Sequence, residues 1–255
     1  LAVLALEDFE DASITAPVEH GGGETRTIDN TDSDPFEGSN GVTVEFRDQD
    51  IYTLGLYSTT VDRATPASNV TFGVAMKIPA LLLAEIDDIS LGTASLNSSA
   101  ANSWCGLAIF PDGSAKFSTA GGTSASGIAG AAALPGTSMG AATFTLDGAW
   151  HYIETDIVFG NGTDGEVRAY EDGVLVHETT GIDTFAQSFS IAVGTRAQLY
   201  FDCGIFGGSL FGYFDYFRLG EDETAPGPPS GGGGGGLSLP VMTGRRARRA
   251  PLVVT

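Results

Sequence analysis

Apolar and polar residues alternate along this chain in short runs, and glycine-containing pairs break the runs at close intervals. A period of two is the mark of strands with one buried face. Asp112-Gly113 stands between Gly106-Leu-Ala-Ile-Phe110 and Ala115-Lys-Phe-Ser118. Asp172-Gly173 stands between Val167-Arg-Ala-Tyr170 and Val174-Leu-Val-His177. Both dipeptides suit the positive φ angles of a tight hairpin turn. Further strands are predicted over 42–46, 51–57, 70–78, 86–91, 143–146, 150–159, 189–193, 198–203 and 213–219. The last is apolar on both faces, which predicts a central strand buried on both sides. Tyr200, Phe201, Phe206, Phe211, Tyr213, Phe214, Tyr216 and Phe217 crowd this late stretch; they read as core, with a sugar-stacking platform as the alternative. Residues 80–89 form the best helix candidate, a short one, and the small residues of 121–142 predict a loop. Many short strands between regular turns predict an all-β sandwich or barrel.

At 255 residues the chain is long enough for one large all-β domain or two small ones. It holds 12 basic and 32 acidic residues, a net charge of -20. Residues 237–255 carry four arginines and no acid, so everything before them stands at −24. Such an acidic body repels phosphates and excludes broad nucleic-acid binding. No apolar run approaches a membrane span. The apolar start, Leu1 to Leu6, is too short for a secretory leader and lacks a basic beginning. Cys105 and Cys203 are the only cysteines. A disulfide closing so long a loop would contribute about 4–5 kcal/mol; two buried free thiols, packing as small apolar groups, are the favoured reading.

Three segments together carry a resemblance. Leu6-Glu-Asp-Phe-Glu-Asp11 opens the body, and Gly148-Ala-Trp-His-Tyr-Ile-Glu154 leads into Gly165-Glu-Val-Arg-Ala-Tyr-Glu-Asp-Gly-Val-Leu-Val176. Gly212-Tyr-Phe-Asp-Tyr-Phe-Arg-Leu-Gly220 closes it. This order resembles the concanavalin A-like, or laminin-G-like, jelly roll over about residues 4–222, most closely its non-catalytic forms among tailed-phage structural proteins. The resemblance implies two antiparallel sheets packed face to face. It also implies a final strand returning beside the first, a concave face, and calcium near a loop edge. The family includes lectins and glucanases as well as structural proteins, so the fold leaves function open.

Glucanases of this family carry alternating acids of the form E-x-D-x-x-E, which places nucleophile and acid on one face. Here Glu85 and Asp87 fit, but Ser90 stands where the last glutamate belongs, and solvated acids at a loop-to-strand junction are the better reading. Gly136-Thr-Ser-Met-Gly140 matches G-x-S-x-G, yet Ser138 has no helix to follow it, as that motif requires. His20, His151 and His177 lack metal spacing. The acidic stretch offers Asp29, Asn30, Asp32, Asp34 and Glu37 as oxygen ligands within one loop, the donor set a calcium ion takes; a solvated acidic turn is the favoured reading.

The expected organisation is a jelly roll over 1–222, a Pro/Gly-rich linker over 223–236 and a basic, apolar docking arm over 237–255. Leu237, Leu239, Val241, Met242, Val253 and Val254 would supply the arm's apolar contacts, with Arg245, Arg246, Arg248 and Arg249 its charge pairing. From this follows an expectation of a non-enzymatic virion structural protein. It would be a capsid decoration or tail-associated subunit, held to neighbouring subunits through the arm. The alternative is a carbohydrate-binding or adhesion module of a bacterial surface or secreted protein, with surface glycans as partners.

Overall fold

The alternating runs pair into two antiparallel sheets. The computed structural model describes residues 2–7, 28–29, 35–36, 38, 41–47, 52–57, 69–97, 102–122, 136–160, 162–182, 184, 192–203, 209–221 and 227–228. Its strands are β1 (Ala2–Glu7), β2 (Ile28–Asp29), β3 (Val42–Arg47), β4 (Tyr52–Tyr57), β5 (Asn69–Lys77), β6 (Ile86–Asn97) and β7 (Asn102–Ile109). They continue with β8 (Ser114–Gly122), β9 (Gly136–Thr143), β10 (Trp150–Val158), β11 (Gly165–Glu171), β12 (Val174–Ile182), β13 (Ala192–Cys203) and β14 (Ser209–Glu221). A single turn of helix, α1 (Ala80–Leu83), links β5 to β6. The eight-stranded sheet runs β12, β11, β10, β5, β14, β3, β2, with β1 also on β14; the six-stranded sheet runs β4, β13, β6, β7, β8, β9.

β14 is the keystone of the larger sheet. Its first half pairs with β3 and its second with β1, while β5 lies along its other side. The final strand therefore returns beside the first, as the family resemblance implies. One core joins the sheets: Phe46, Phe72, Val74, Ile153, Phe214 and Leu219 from the larger meet Ile89, Leu107, Ile109 and Phe117 from the smaller. Burying each such large side chain contributes roughly 1.5–3 kcal/mol. The predicted jelly-roll sandwich is the observed fold.

The Asp-Gly signals hold. Asp172 and Gly173 both take positive φ, 51° and 79°, as a two-residue turn between β11 and β12 demands. At the other hairpin Gly113 has φ 81°, and the Asp112 carboxylate accepts from the Ser114 amide at 2.9 Å.

Three local expectations are corrected. Strand β9 occupies Gly136–Thr143, inside the stretch expected to be loop, because pairing with β8 supplies the order that small residues lack by themselves. Residues 144–146 are not strand; Phe144 turns into the core, and its amide donates to the Gly113 carbonyl at 2.8 Å. The helix stops after four residues, since Ile86 already belongs to β6.

The register also places the cysteines. Cys203 sits opposite Ile86 and Cys105 opposite Thr93, on the two sides of β6. Seven residues of strand separate those positions, about 23 Å. A disulfide needs Cα atoms within about 7 Å, so the two do not bridge in this fold. Among the described residues no helix is long and apolar enough to cross a membrane.

Candidate functional site

The six-stranded sheet turns Ile89, Leu107, Ile109, Ala115 and Phe117 to the core. Alternation along each strand then assigns the intervening residues to the opposite face. The register aligns them in rows across the strands. One row reads Gly55 (β4), Gln198 (β13), Gly92 (β6), Gly106 (β7), Ser118 (β8), Gly136 (β9). Four of its six positions have no side chain. This glycine row, the trough, crosses five strand spacings, about 24 Å. On one side the flanking row is Tyr57, Arg196, Ala94, Trp104, Ala120; on the other it is Thr53, Tyr200, Ser90, Ala108, Lys116, Ser138. The row thus lies between rows that hold aromatic, cationic and hydroxyl-bearing residue types, with Ala108 fully buried among them, and Arg196, Gln198 and Tyr200 come from alternate positions of one strand.

The outer face of the eight-stranded sheet is built differently. At its middle Tyr152, Glu154, Asp215 and Arg218 are buried. Gly73 lies in register with Glu154 on one side and Arg218 on the other. Its missing Cβ leaves the space that the Tyr152 hydroxyl occupies. Arg218 Nη1 reaches to 3.8 Å from Glu154 Oε1, and the Gly227 amide donates to Glu154 Oε2 at 3.0 Å. The chain beyond β14 therefore lies back on this sheet at Gly227 and Pro228, the latter against Gly173. Asp215 accepts from the Phe36 amide at 3.0 Å and the Tyr216 amide at 2.7 Å. This arrangement is closed and serves the fold.

A third cluster sits where β10 begins. His151 Nδ1 lies 2.9 Å from Asp172 Oδ2, and Nε2 lies 3.2 Å from Asp147 Oδ1, with Glu171 at 3.5 Å. The Asp172 hydrogen bond, against the opposing effect of burial, and then the other carboxylates lift its pKa from 6.5 to about 9. An imidazolium at neutral pH cannot act as a general base. Its role is to tie the β11–β12 turn to β10, helped by the Tyr152 amide donating to Asp172 Oδ1 at 2.8 Å. Because the folded pKa is raised, this contribution to stability is complete below pH 6.5 and drains away as pH rises through about 9. The melting temperature should accordingly fall between those values, and His151→Gln should flatten that part of the profile. A wild-type fall retained in full by the variant would assign it elsewhere.

The residues singled out in sequence separate. Glu85 lies in the turn before β6, its amide donating to the Leu82 carbonyl at 3.0 Å, and Asp87 is exposed. Ser138 is in β9 and joins the trough's flank, with no helix after it. Asp29 ends β2, whereas Asn30, Asp32, Asp34, Glu37 and all of 237–255 lie outside the described residues. Among the described residues no group of three His, Cys, Asp or Glu is placed to hold a metal. Sequence reasoning missed Arg196, since the strand was predicted to begin at 198, and it missed Trp104. The polar, apolar alternation of Arg196-Ala-Gln198-Leu-Tyr200 was the available signal.

No known family profile and no curated protein matches the sequence. Solved structures do match the fold. The endo-β-1,4-glucuronan lyase of the fungus Trichoderma reesei superposes with a TM-score of 0.56 at 13% identity, over 86% of this chain and 95% of its own. The marine PL-14 alginate lyase of Aplysia kurodai gives 0.54 at 13%, over 87% and 100%. A conserved carbohydrate esterase from the Shiga toxin-encoding bacteriophage phi24B gives 0.50 at 12%, over 86% and 97%. These similarities correct the expectation of a non-enzymatic virion structural protein, because the sandwich is one on which carbohydrate-acting enzymes are built, in the phage case too. A missing carboxylate at Ser90 and the lack of a helix after Ser138 speak against glucanase and nucleophile-elbow chemistry and say nothing about other reactions. This chain has the antiparallel jelly-roll sandwich shared by polysaccharide lyases and a carbohydrate esterase.

Proposed function

We propose that the chain is a carbohydrate-active protein that takes an extended polysaccharide across the strands of its six-stranded sheet. The observation that carries this reading is the glycine-lined row from Gly55 to Gly136, flanked by Tyr57, Arg196 and Trp104 on one side and Tyr200 and Lys116 on the other. A row with Cβ atoms only at Gln198 and Ser118 leaves room for the body of a sugar chain. Aromatic rings accept the C–H faces of sugars, and fixed polar groups set orientation. The residue types also suit lyase chemistry. Arginine and glutamine bind a uronate carboxylate. Holding that carboxylate acidifies the neighbouring C–H, and tyrosine or lysine can carry the proton removed and the proton returned to the leaving oxygen. The glucuronan and alginate lyases of like fold act, by their names, on such polyuronates.

The net charge of -20 favours a second form of the same reading, a module that binds a neutral polysaccharide without cleaving it. One experiment separates them. The protein is incubated with alginate, glucuronan and neutral glucans, following ultraviolet absorbance of the unsaturated product and retention in affinity electrophoresis. Cleavage of a uronan, lost in Tyr200→Phe and Arg196→Ala, establishes the lyase. Retention without cleavage establishes the binding module. The absence of both cleavage and retention on all of them overturns the proposal.

A further inference from the structure

We infer that the outer face of the eight-stranded sheet carries a second polysaccharide contact, made by the rings of Trp150 and Tyr213 with Phe211 beside them. This rests on the proposed function for the class of ligand but not for the place. Tyr213 and Trp150 are both register partners of Lys77, one on each side, so a single row crosses β14, β5 and β10. The Lys77 ammonium lies 5.4 Å from the Tyr213 ring centre and 5.9 Å from that of Trp150. A cation held between two ring faces is attracted to both. It sets the rings two strand spacings apart, about 10 Å, a span comparable with a disaccharide. Phe36 backs Trp150, ring centres 6.0 Å apart.

All three members of the row are half-buried, neither sealed in the core nor loose on the surface. Phe211 follows two positions away on β14, on the same face, and is 43% exposed. Rings already fixed by neighbours lose little freedom when a ligand settles on them. The patch suits a sugar chain better than a protein. It is two rows deep, and β3 borders it with Thr43 opposite Tyr213 and Glu45 opposite Phe211. A stable protein interface needs a buried area on the order of 800 Å² per partner, whereas a glycan needs only rings and a polar rim.

The chain has two tryptophans, and they fall on different sheets: Trp104 beside the trough and Trp150 in this row. Trp104→Phe makes fluorescence a report on Trp150 alone, and Trp150→Phe a report on Trp104 alone. Each variant is titrated with alginate and glucuronan oligosaccharides and with cello-oligosaccharides. The expected result is a saturable change in Trp150 emission, abolished by adding Phe211→Ala and Tyr213→Ala. Silence at Trp150 while Trp104 responds overturns this inference and leaves the trough intact as a site. A response at Trp150 alone supports the row and counts against the trough. Silence at both sinks the two together. Affinity electrophoresis of Phe211→Ala with both tryptophans in place guards against an unfolded variant. This exposed ring can go without damage to the core, and retention unchanged from the wild type counts against the row.

Discussion

Gly106→Val is expected to weaken binding of an extended polysaccharide at least about tenfold, about 1.4 kcal/mol, while the protein melts no lower than before. Gly106 sits in the trough row between Gly92 and Ser118. A branched side chain there stands where the sugar chain would lie. The same substitution should not harm the fold. Glycine within a strand costs about 0.5–1 kcal/mol of chain entropy relative to alanine, and valine suits a pleated surface. Binding and stability therefore move in opposite directions, which a general folding defect does not produce. Isothermal titration with the polysaccharide, beside a thermal melt, reads both. Full affinity with valine in place would mean that the ligand does not cross this row. Gly73 supplies the contrast: a Cβ there meets the Tyr152 hydroxyl on the packed sheet, so Gly73→Val should lower the melting temperature.

Asp215→Ala is expected to produce the larger loss of stability, about 2–4 kcal/mol, because two amides lose a charged acceptor in a buried place. The Asp215 side chain is fully buried. It receives the Phe36 amide from a segment far away in sequence and the amide of its neighbour Tyr216. Tyr216 is held at φ 46°, where the β14–β5 ladder is irregular between Asp215 and Arg218. A non-glycine residue keeps such a conformation only when its surroundings impose it. Removing the carboxylate frees Tyr216 to relax, and its ring then leaves Tyr152, now 5.9 Å away. For a chain of this size each kcal/mol corresponds to roughly 2–4 °C of melting temperature, so a fall on the order of 10 °C is expected by calorimetry. Asp215→Asn, which keeps one acceptor oxygen, should lose less. A melting temperature within a degree or so of wild type would remove Asp215 from the residues that hold β14.

Much of the fold was legible because strand formation is local. The alternation over 150–159 and 167–170 and the Asp172-Gly173 pair describe a hairpin whose strands and turn lie where those residues require. The closing motif around Asp215 was visible too, although its apolar count suggested burial by hydrophobic neighbours on both faces. In the structure Phe214, Phe217 and Leu219 enter the core, while Asp215 and Arg218 meet a polar, covered face. Apolar content reports that a strand is buried; it does not report against what. β9 escaped notice for the converse reason, since Gly136–Thr143 has little side-chain bulk and takes its order from β8.

The sequence by itself determined most of the strands, the Asp-Gly turns and the acidic balance, all set by residues near one another, and the resemblance it carries implied the return of the last strand beside the first. The tertiary structure alone decided the trough. Gly55, Gln198, Gly92 and Gly106 stand in one row although long stretches of chain separate them, and a slip of one residue in any strand would move that strand's contribution to the opposite face. Register of this kind follows from how the core packs across both sheets. No single segment carries it.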